Sequence, residues 1–380
     1  MDLIRRARDF GLETVVADID PACPGRSLAD LFVEMDTSDG EAMVEVAHRY
    51  GVRLVLADQS DRVVPIAALI NERLDLPGLR PDVAERVTDK SVMRRTLAGS
   101  VDMPAFAEVA DVDAATAFAG SVGYPVVLKP KRAQSSIGVL KANAADEVRR
   151  AYPTTAAAST DGSILIEQFV DGLEVTVEAF SARGRCTVLA LSEKNHYLFN
   201  DCLARRLSYP PRLEPEPLAH LREVAATVVE AVGLQDGLSH AEYRILDGTP
   251  YLIEVAARGG GSGIASRIVP HVSGVDVYTL LIRTLLGENV TVSASAARAA
   301  VLEFFDFPPG RVAAIRGVEQ ARREGLADEL HLNFQAGDTI LQPVDDRNRP
   351  GYALLLGETR DEVDARRRRL EELIEIKYAP

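Results

Sequence analysis

His240-Ala-Glu-Tyr-Arg-Ile-Leu-Asp-Gly-Thr-Pro-Tyr-Leu-Ile-Glu254 sets two alternating apolar runs on either side of Asp247-Gly248. Asp-Gly between such runs marks a β-hairpin. Side chains alternate faces along a strand, so His240, Glu242, Arg244 and Leu246 share one face of the first strand. Leu252, Glu254, Ala256 and Arg258 share one face of the second. A turn with an odd number of residues, Asp247 to Thr249 for example, sets Glu242 directly opposite Glu254. An even turn leaves both acids on a solvated sheet face. Directly opposed Cβ atoms lie about 4.5–5.5 Å apart, and two carboxylates that close share a proton or hold a cation. Oxygen-only ligands suit magnesium, which takes one or two carboxylates and completes its shell with substrate phosphates.

Upstream, Val126-Val-Leu-Lys129-Pro130 ends a buried strand in a lysine, and the small-residue loop Gln134-Ser135-Ser136-Ile137-Gly138-Val139 follows. Glycine and serine let backbone N–H groups approach a phosphate, and Lys129 supplies a point charge to the same oxygens. A surface turn after an edge strand is the plainer reading of that loop. The chain holds no G-x-x-x-x-G-K-[ST] pattern, and Gly259-Gly-Gly-Ser-Gly263 fails the dinucleotide spacing, so a bound nucleotide needs another architecture.

The 380 residues, 47% hydrophobic and 26% charged, suit a globular chain of two or three domains. Acids outnumber bases 57 to 43, and the formal charge of −14 argues against nucleic acid as the main partner. Cys23, Cys186 and Cys202 are too few and scattered for a disulfide framework or zinc knuckle. No apolar run approaches the roughly 18 residues of a membrane helix, and Met1–Phe10 lacks a signal-peptide core, so a cytoplasmic chain without membrane contact is expected. Residues 1 to 80 alternate helix and strand patterns (strands at Thr14–Asp18 and Arg53–Ala57), which points to a parallel α/β unit. Beyond residue 88, helices segregate from largely antiparallel strands, an α+β body. The arginine run Arg366–Arg369 reads as a solvated face of the terminal helix, paired with Glu362 and Asp364.

Taken in order, these pieces resemble the ATP-grasp superfamily of carboxylate–amine ligases over nearly the whole chain. Asp89-Lys90, after Leu76-Pro77-Gly78, resembles the entry to the grasp. Lys129 and loop 134–139 resemble the second lysine and the phosphate lid. Glu167-Gln-Phe-Val-Asp-Gly-Leu-Glu174 is similar to the adenine hinge, with backbone at Gln168, Phe169 and Val170 facing the base and Glu174 on the ribose. His240-Ala-Glu242 and Ile253-Glu254-Val-Ala-Ala-Arg258 resemble the paired magnesium ligands and the arginine after them, and the glycine run behind Arg258 is most like the amino-acid, dipeptide-forming ligases. Two departures stand out. The family motif reads Glu-x-Asn-x-Arg, whereas Ala256 holds the middle position here, so Glu254 or water must supply the missing oxygen. The N-terminal domain also opens on a helix, without the family's first strand and glycine turn.

The resemblance implies an ATP-grasp fold in three parts: an N-terminal α/β domain over 1–87, a nucleotide-binding region over 88–293 with its lid at about 95–166, and a C-terminal α+β domain over 294–380. It implies ATP and Mg2+ as cofactors, with Lys90, Lys129, Ser135, Ser136, Gly138, Glu167, Gln168, Phe169, Val170 and Glu174 on the nucleotide. Glu242 and Glu254 would hold the metal, and Lys129, Glu254 and Arg258 would carry the chemistry. Small-molecule carboxylate and amine substrates are expected, and a homodimer is left open. Arg205, Arg206 or Arg267 could hold a substrate carboxylate, or form a surface basic patch. His196, Gly260 and Gly261 are further substrate candidates, and His240 supports Glu242. The expected reaction joins a small carboxylate, an amino acid by preference, to an amine through an acyl phosphate. The alternatives are a biotin-carboxylase-like or purine-pathway enzyme, and a non-catalytic nucleotide-binding regulator.

Overall fold

Helix starts in this chain are written by short polar residues. Asp39, Asp89, Asp111, Asp276 and Thr359 each accept a backbone N–H from the first turn of the helix that follows, which satisfies donors the helix cannot use itself. The computed structural model describes residues 1–159, 161–294 and 297–379. Strands β1 (Val15–Asp18) and β2 (Leu31–Glu34) pair in parallel. The lid contains β3 (Phe106–Val109), β4 (Val126–Pro130), β5 (Leu140–Ala142) and β6 (Ile164–Gln168), an antiparallel sheet in the order β3-β6-β4-β5.

Next come β7 (Leu173–Ala182), β8 (Arg185–Tyr197), β9 (Asn200–Tyr209), β10 (Gly237–Leu246), β11 (Thr249–Ala256) and β12 (Ala299–Phe304). The chain closes with β13 (Gly310–Arg316), β14 (Glu329–Leu332), β15 (Thr339–Ile340), β16 (Gly351–Gly357) and β17 (Glu375–Tyr378). Eight of these form one antiparallel sheet, β11-β10-β7-β8-β9-β12-β16-β14, and β15-β13-β17 form a small separate one. The fold is thus the parallel N-terminal sheet with antiparallel grasp sheets expected of an ATP-grasp chain. Helix Pro215–Ala231 packs Leu221, Ala225 and Val228 under the β10–β11 side, against Tyr243, Leu252 and Val255. Helix Arg360–Leu373 packs Val363 and Leu370 under the other end, against Val301 and Leu355. The opposite face is covered in part by helices Val269–Ser273 and Val277–Leu285, whose Val269, Val272, Tyr278 and Ile282 share a core with Phe180, Leu189 and Leu354, and the rest of it lines a cleft beneath the lid.

One expected strand is absent. Arg53–Ala57 joins no ladder; Leu54 and Leu56 pack against the body, and the next residues, Asp58 to Asp61, dock on it. The Asp58 carbonyl accepts the Gly259 N–H at 3.0 Å, and the Tyr278 hydroxyl donates to the Asp58 carboxylate at 2.5 Å. Side-chain packing and these anchors, in place of a backbone ladder, fix the segment.

Candidate active site

The β10–β11 hairpin has an even turn. Leu246 pairs with Thr249 across Asp247 and Gly248, both with positive φ (50° and 80°), the geometry of a tight type I′ connection. That register runs through Tyr243–Leu252 and by itself sets Ile253 opposite Glu242. A β-bulge intervenes: Ile253 is the extra residue, and beyond it Glu242 pairs with Glu254 and His240 with Ala256. Parity is restored by the bulge, not by an odd turn, and both acids open on the cleft instead of a solvated face. The bulge is held by Arg94 from helix Lys90–Leu97, which is fully buried and donates to the Leu252 and Ile253 carbonyls at 2.9 and 2.8 Å. Its Nε donates to Glu167 at 2.7 Å.

The cleft is a cavity of about 460 Å³ between lid, sheet and the N-terminal loop. Lys90 and Lys129 enter it from the lid side, the first 2.8 Å from Glu254 and the second 2.6 Å from Glu167. Lys194 bridges Glu174 and Glu242 at 2.7 and 2.9 Å. Burial alone would raise the Glu242 carboxyl; Lys194 and His240 outweigh it and hold it well below the usual range. Glu174 is depressed likewise, against its burial, by Lys194, His196 and Arg244. Although burial lowers His240, Glu178 and Glu242 raise it to about 9, so its Nδ1 donates to the Glu178 carboxylate at 2.5 Å.

At the hinge, the Gln168 and Phe169 N–H groups are spent on the Ala105 and Pro125 carbonyls, which leaves the Val170 N–H without a backbone partner among the described residues. Phe169 lies between the Lys141 ammonium, 3.9 Å from its ring centre, and the Arg244 guanidinium at 4.4 Å. Ser135 and Ser136 line the cleft in the left-handed region, φ 60° and 58°, where the loop turns sharply. The lid is fastened over the cavity: Ser136 donates to the Cys202 carbonyl at 2.8 Å, and the Gln134 side chain accepts the Asp61 N–H at 2.8 Å. Asp61 in turn grips Arg258 through both carboxylate oxygens at 3.0 and 2.8 Å. Burial lowers the Arg258 guanidinium and Asp61 more than compensates.

Several expected site residues are placed elsewhere. Arg205 and Arg206 are spent on Glu303 and on Glu371 of the terminal helix, away from the cleft. Arg267 pairs with Glu329 at 2.6 Å, nearly half exposed. The Glu167 carboxylate is enclosed between Arg94 and Lys129, so it aims the lysine and has no free oxygen edge for a base. Gly138 is off the cavity wall; a Cβ there would lie 2.8 Å from Ala158 and 3.0 Å from Pro130. His196 sits 3.1 Å from Glu174, behind the wall. Gly261 opens on the cavity, whereas Gly260 lies under it, where a Cβ would meet Ile264 at 2.7 Å. Sequence reasoning missed Arg94, Lys194, Arg244, Asp61 and Arg349. Of these, Lys194 and Arg244 alternate in phase with Glu174 and Glu242, a signal that strand pairing alone could have exposed.

Whether magnesium fits can be judged from the donors. Glu242 and Glu254 are a directly opposed pair on the cleft, the first held ionised beside Lys194 and the second paired with Lys90 at 2.8 Å. Among the described residues no cluster of three metal-ligating side chains exists, so a metal here needs oxygens from phosphates and water. That is magnesium's habit with nucleotides, and the set fits. The methyl of Ala256 adds no donor.

Comparison with known proteins gives a consistent picture. Residues 122–266 match the ATP-grasp domain, and residues 303–379 match the L-amino acid ligase C-terminal domain 2. The structure is similar to that of an L-amino acid ligase from Bacillus licheniformis, with a TM-score of 0.83 and 23% identity over 100% of this chain and 95% of that one. In sequence the chain is 24% identical over 368 residues to a formate-dependent phosphoribosylglycinamide formyltransferase of Synechococcus sp. (strain CC9605), covering 95% of this chain and 90% of the relative. It is 32% identical over 155 residues to a D-alanine–D-alanine ligase of Cupriavidus necator, 39% of this chain and 46% of that one.

Proposed function

Because this chain belongs to the ATP-grasp ligases, which use ATP and Mg2+, we propose that it activates a small carboxylate, an amino acid by preference, and joins it to an amine. The observation that carries this reading is the opposed pair Glu242 and Glu254 facing Lys90 and Lys129, with Arg258 two positions beyond β11. ATP would lie with its adenine at Val170, its ribose at Glu174 and its phosphates beneath Ser135 and Ser136. Glu242 and Glu254 would hold Mg2+, which when bound neutralises charge on the phosphates. Lys90 and Lys129 offset the same charge as it shifts toward the leaving ADP.

A carboxylate oxygen of the first substrate attacks the γ-phosphorus; the bond from phosphorus to the ADP oxygen breaks, and an acyl phosphate forms. The uncharged amine of the second substrate then attacks the acyl carbon. The carbon–oxygen bond to phosphate breaks, phosphate departs with the electron pair, and the nitrogen gives up a proton to leave an amide. Arg258, released from Asp61, is placed to stabilise the transferred phosphoryl group and the tetrahedral oxyanion, alongside backbone N–H groups at Gly261 and Ser262. The fastened lid excludes the water that would hydrolyse an acyl phosphate.

Phosphate release measured with ATP, Mg2+ and an amino-acid panel tests this reading. ADP formation that depends on an added amino acid supports it; turnover equal without any amino acid overturns it. The full-length likeness to a formate-dependent enzyme favours formate as the next acid for the same assay.

A further inference from the structure

Two buried arginines show what a fully committed guanidinium looks like in this protein. Arg94 bonds through Nε, Nη1 and Nη2 to Glu167, Leu252 and Ile253. Arg244 bonds through the same three nitrogens to Glu174, Val170 and Asp201. Arg349, just before β16, is as well buried, at 8% exposed, and lies on the cavity wall. Only its Nη2 is engaged, by the Ala204 carbonyl at 2.9 Å and Asp346 at 2.7 Å. Its Nε has no partner, and Nη1 makes no bond within the protein among the described residues. Leaving donors of a buried cation unmet is costly. A planar fork with free edges beside a cavity is suited to an oxyanion.

The surroundings say what kind of molecule carries that oxyanion. The guanidinium carbon lies over the Phe304 ring, 3.6 Å from its centre. Leu302 pairs across with Leu207, and Phe304 with Tyr352, so these four side chains share the sheet face that opens on the cavity. Leu207, Phe304 and Tyr352 make an apolar wall on β9, β12 and β16 with Leu302 buried behind it, while the two lysines assigned to the phosphates enter from β4 and from helix Lys90–Leu97. A triphosphate has no use for an apolar wall; an acid with a hydrocarbon body does.

Resting on the ligase reading, we propose that Arg349 is the receptor for a second, non-reacting carboxylate of the substrate pair, and that Leu207, Phe304 and Tyr352 receive the apolar body that bears it. That carboxylate belongs either to the amine-side substrate or to the side chain of the acid that is activated. In both cases Arg349 sets specificity, and Arg205, Arg206 and Arg267 have no part in it.

The test pairs Arg349→Met, which keeps an unbranched chain over Phe304, with Arg349→Lys, which keeps the charge. Steady-state phosphate release is measured with each substrate as free acid and as its carboxamide, and calorimetric titration of the same panel into enzyme with a non-hydrolysable ATP analogue is run beside it. Expected is a KM for one carboxylate-bearing substrate raised about 10- to 100-fold in Arg349→Met, the span of a charged hydrogen bond, with ATP KM unchanged and partial recovery in Arg349→Lys. The source shows in the carboxamide arm: wild type penalises the amide of the amine-side substrate, or the side-chain amide of the activated acid, and Arg349→Met penalises neither. A rise confined to ATP KM overturns the proposal by making Arg349 a phosphate ligand. Unchanged KM and binding across the panel in folded Arg349→Met, or wild type that binds no panel acid, overturns it too. Wild type that binds these acids through Arg349 without releasing phosphate defeats the ligase reading alone.

Discussion

The two halves of the cleft are built on different rules. In the half proposed for the nucleotide, charges come in closed circuits: Arg94–Glu167–Lys129, and Lys194 between Glu174 and Glu242. In the half proposed for the substrates, strands β9, β12 and β16 flank a guanidinium with donors to spare, and the conspicuous basic pair Arg205-Arg206 is turned to the far side of the sheet. The contrast teaches that charge density along a sequence marks where a protein holds itself together as readily as where it holds a ligand. What separates the two cases is whether an unmet donor also borders a cavity: Arg205 Nε lacks a partner too, but Arg205 lies off the cleft.

The largest expected effect breaks the nucleotide half at its centre. Glu254→Gln keeps volume and removes charge from the acid pair proposed to hold Mg2+, so kcat for ADP formation should fall by about 10²- to 10³-fold or more, with circular dichroism unchanged. Turnover like wild type in the folded variant would remove the basis of the assignment. Next in size, Arg94→Met leaves the Glu167 carboxylate with one partner and two bulge carbonyls with none. Losing one side of a buried ion pair costs about 3–5 kcal/mol, read as a lowered urea midpoint. If stability stays within the error of wild type, the bulge stands without its clasp.

Arg206→Met sharpens the comparison from the other side. It should lower stability by about 1–3 kcal/mol through the partly orphaned Glu303 and leave every substrate KM unmoved; a substrate KM shift would return Arg206 to the cleft. The smallest effect concerns acid. Burial raises the Glu167 carboxyl, yet Arg94 and Lys129 prevail and set it below its ordinary 4.5. A carboxyl depressed by folding adds stability that is present above the unfolded pKa and is lost as pH falls through the folded one. Urea midpoints of wild type should therefore decline as pH drops below about 4.5, and those of Glu167→Gln should decline less steeply over the same range. Parallel curves would contradict the ion-pair account.

Most of the fold was legible because its signals are local. Asp247-Gly248 and the alternation around it announce the hairpin, and the alternating helix and strand patterns of residues 1 to 80 announce the N-terminal unit. The acids were legible too, but the reason they meet was not. An odd turn was the natural inference, whereas the protein uses an even turn and a bulge whose carbonyls are capped by Arg94, 158 residues earlier in the chain. Nothing near Ile253 records that distant clasp. Arg349 was legible only as the start of a closing strand, Arg349-Pro-Gly-Tyr352, and nothing in those neighbours records that its guanidinium enters the cleft. Its placement follows from β12 pairing with β9 and β16. Arg53–Ala57 failed as a strand because apolar alternation records packing and cannot record the missing ladder partner.

The bulge at Ile253 also bears on transplantation. A designer who copied residues 240–256 into another sheet, turn and all, would carry both acids but not the guanidinium that pins the kink. The excised ribbon would then be free to relax into unbroken pairing, with the isoleucine facing Glu242 and the second acid swung to the hydrocarbon side. The portable unit is therefore a hairpin together with one turn of a helix, and the two are far apart in the chain.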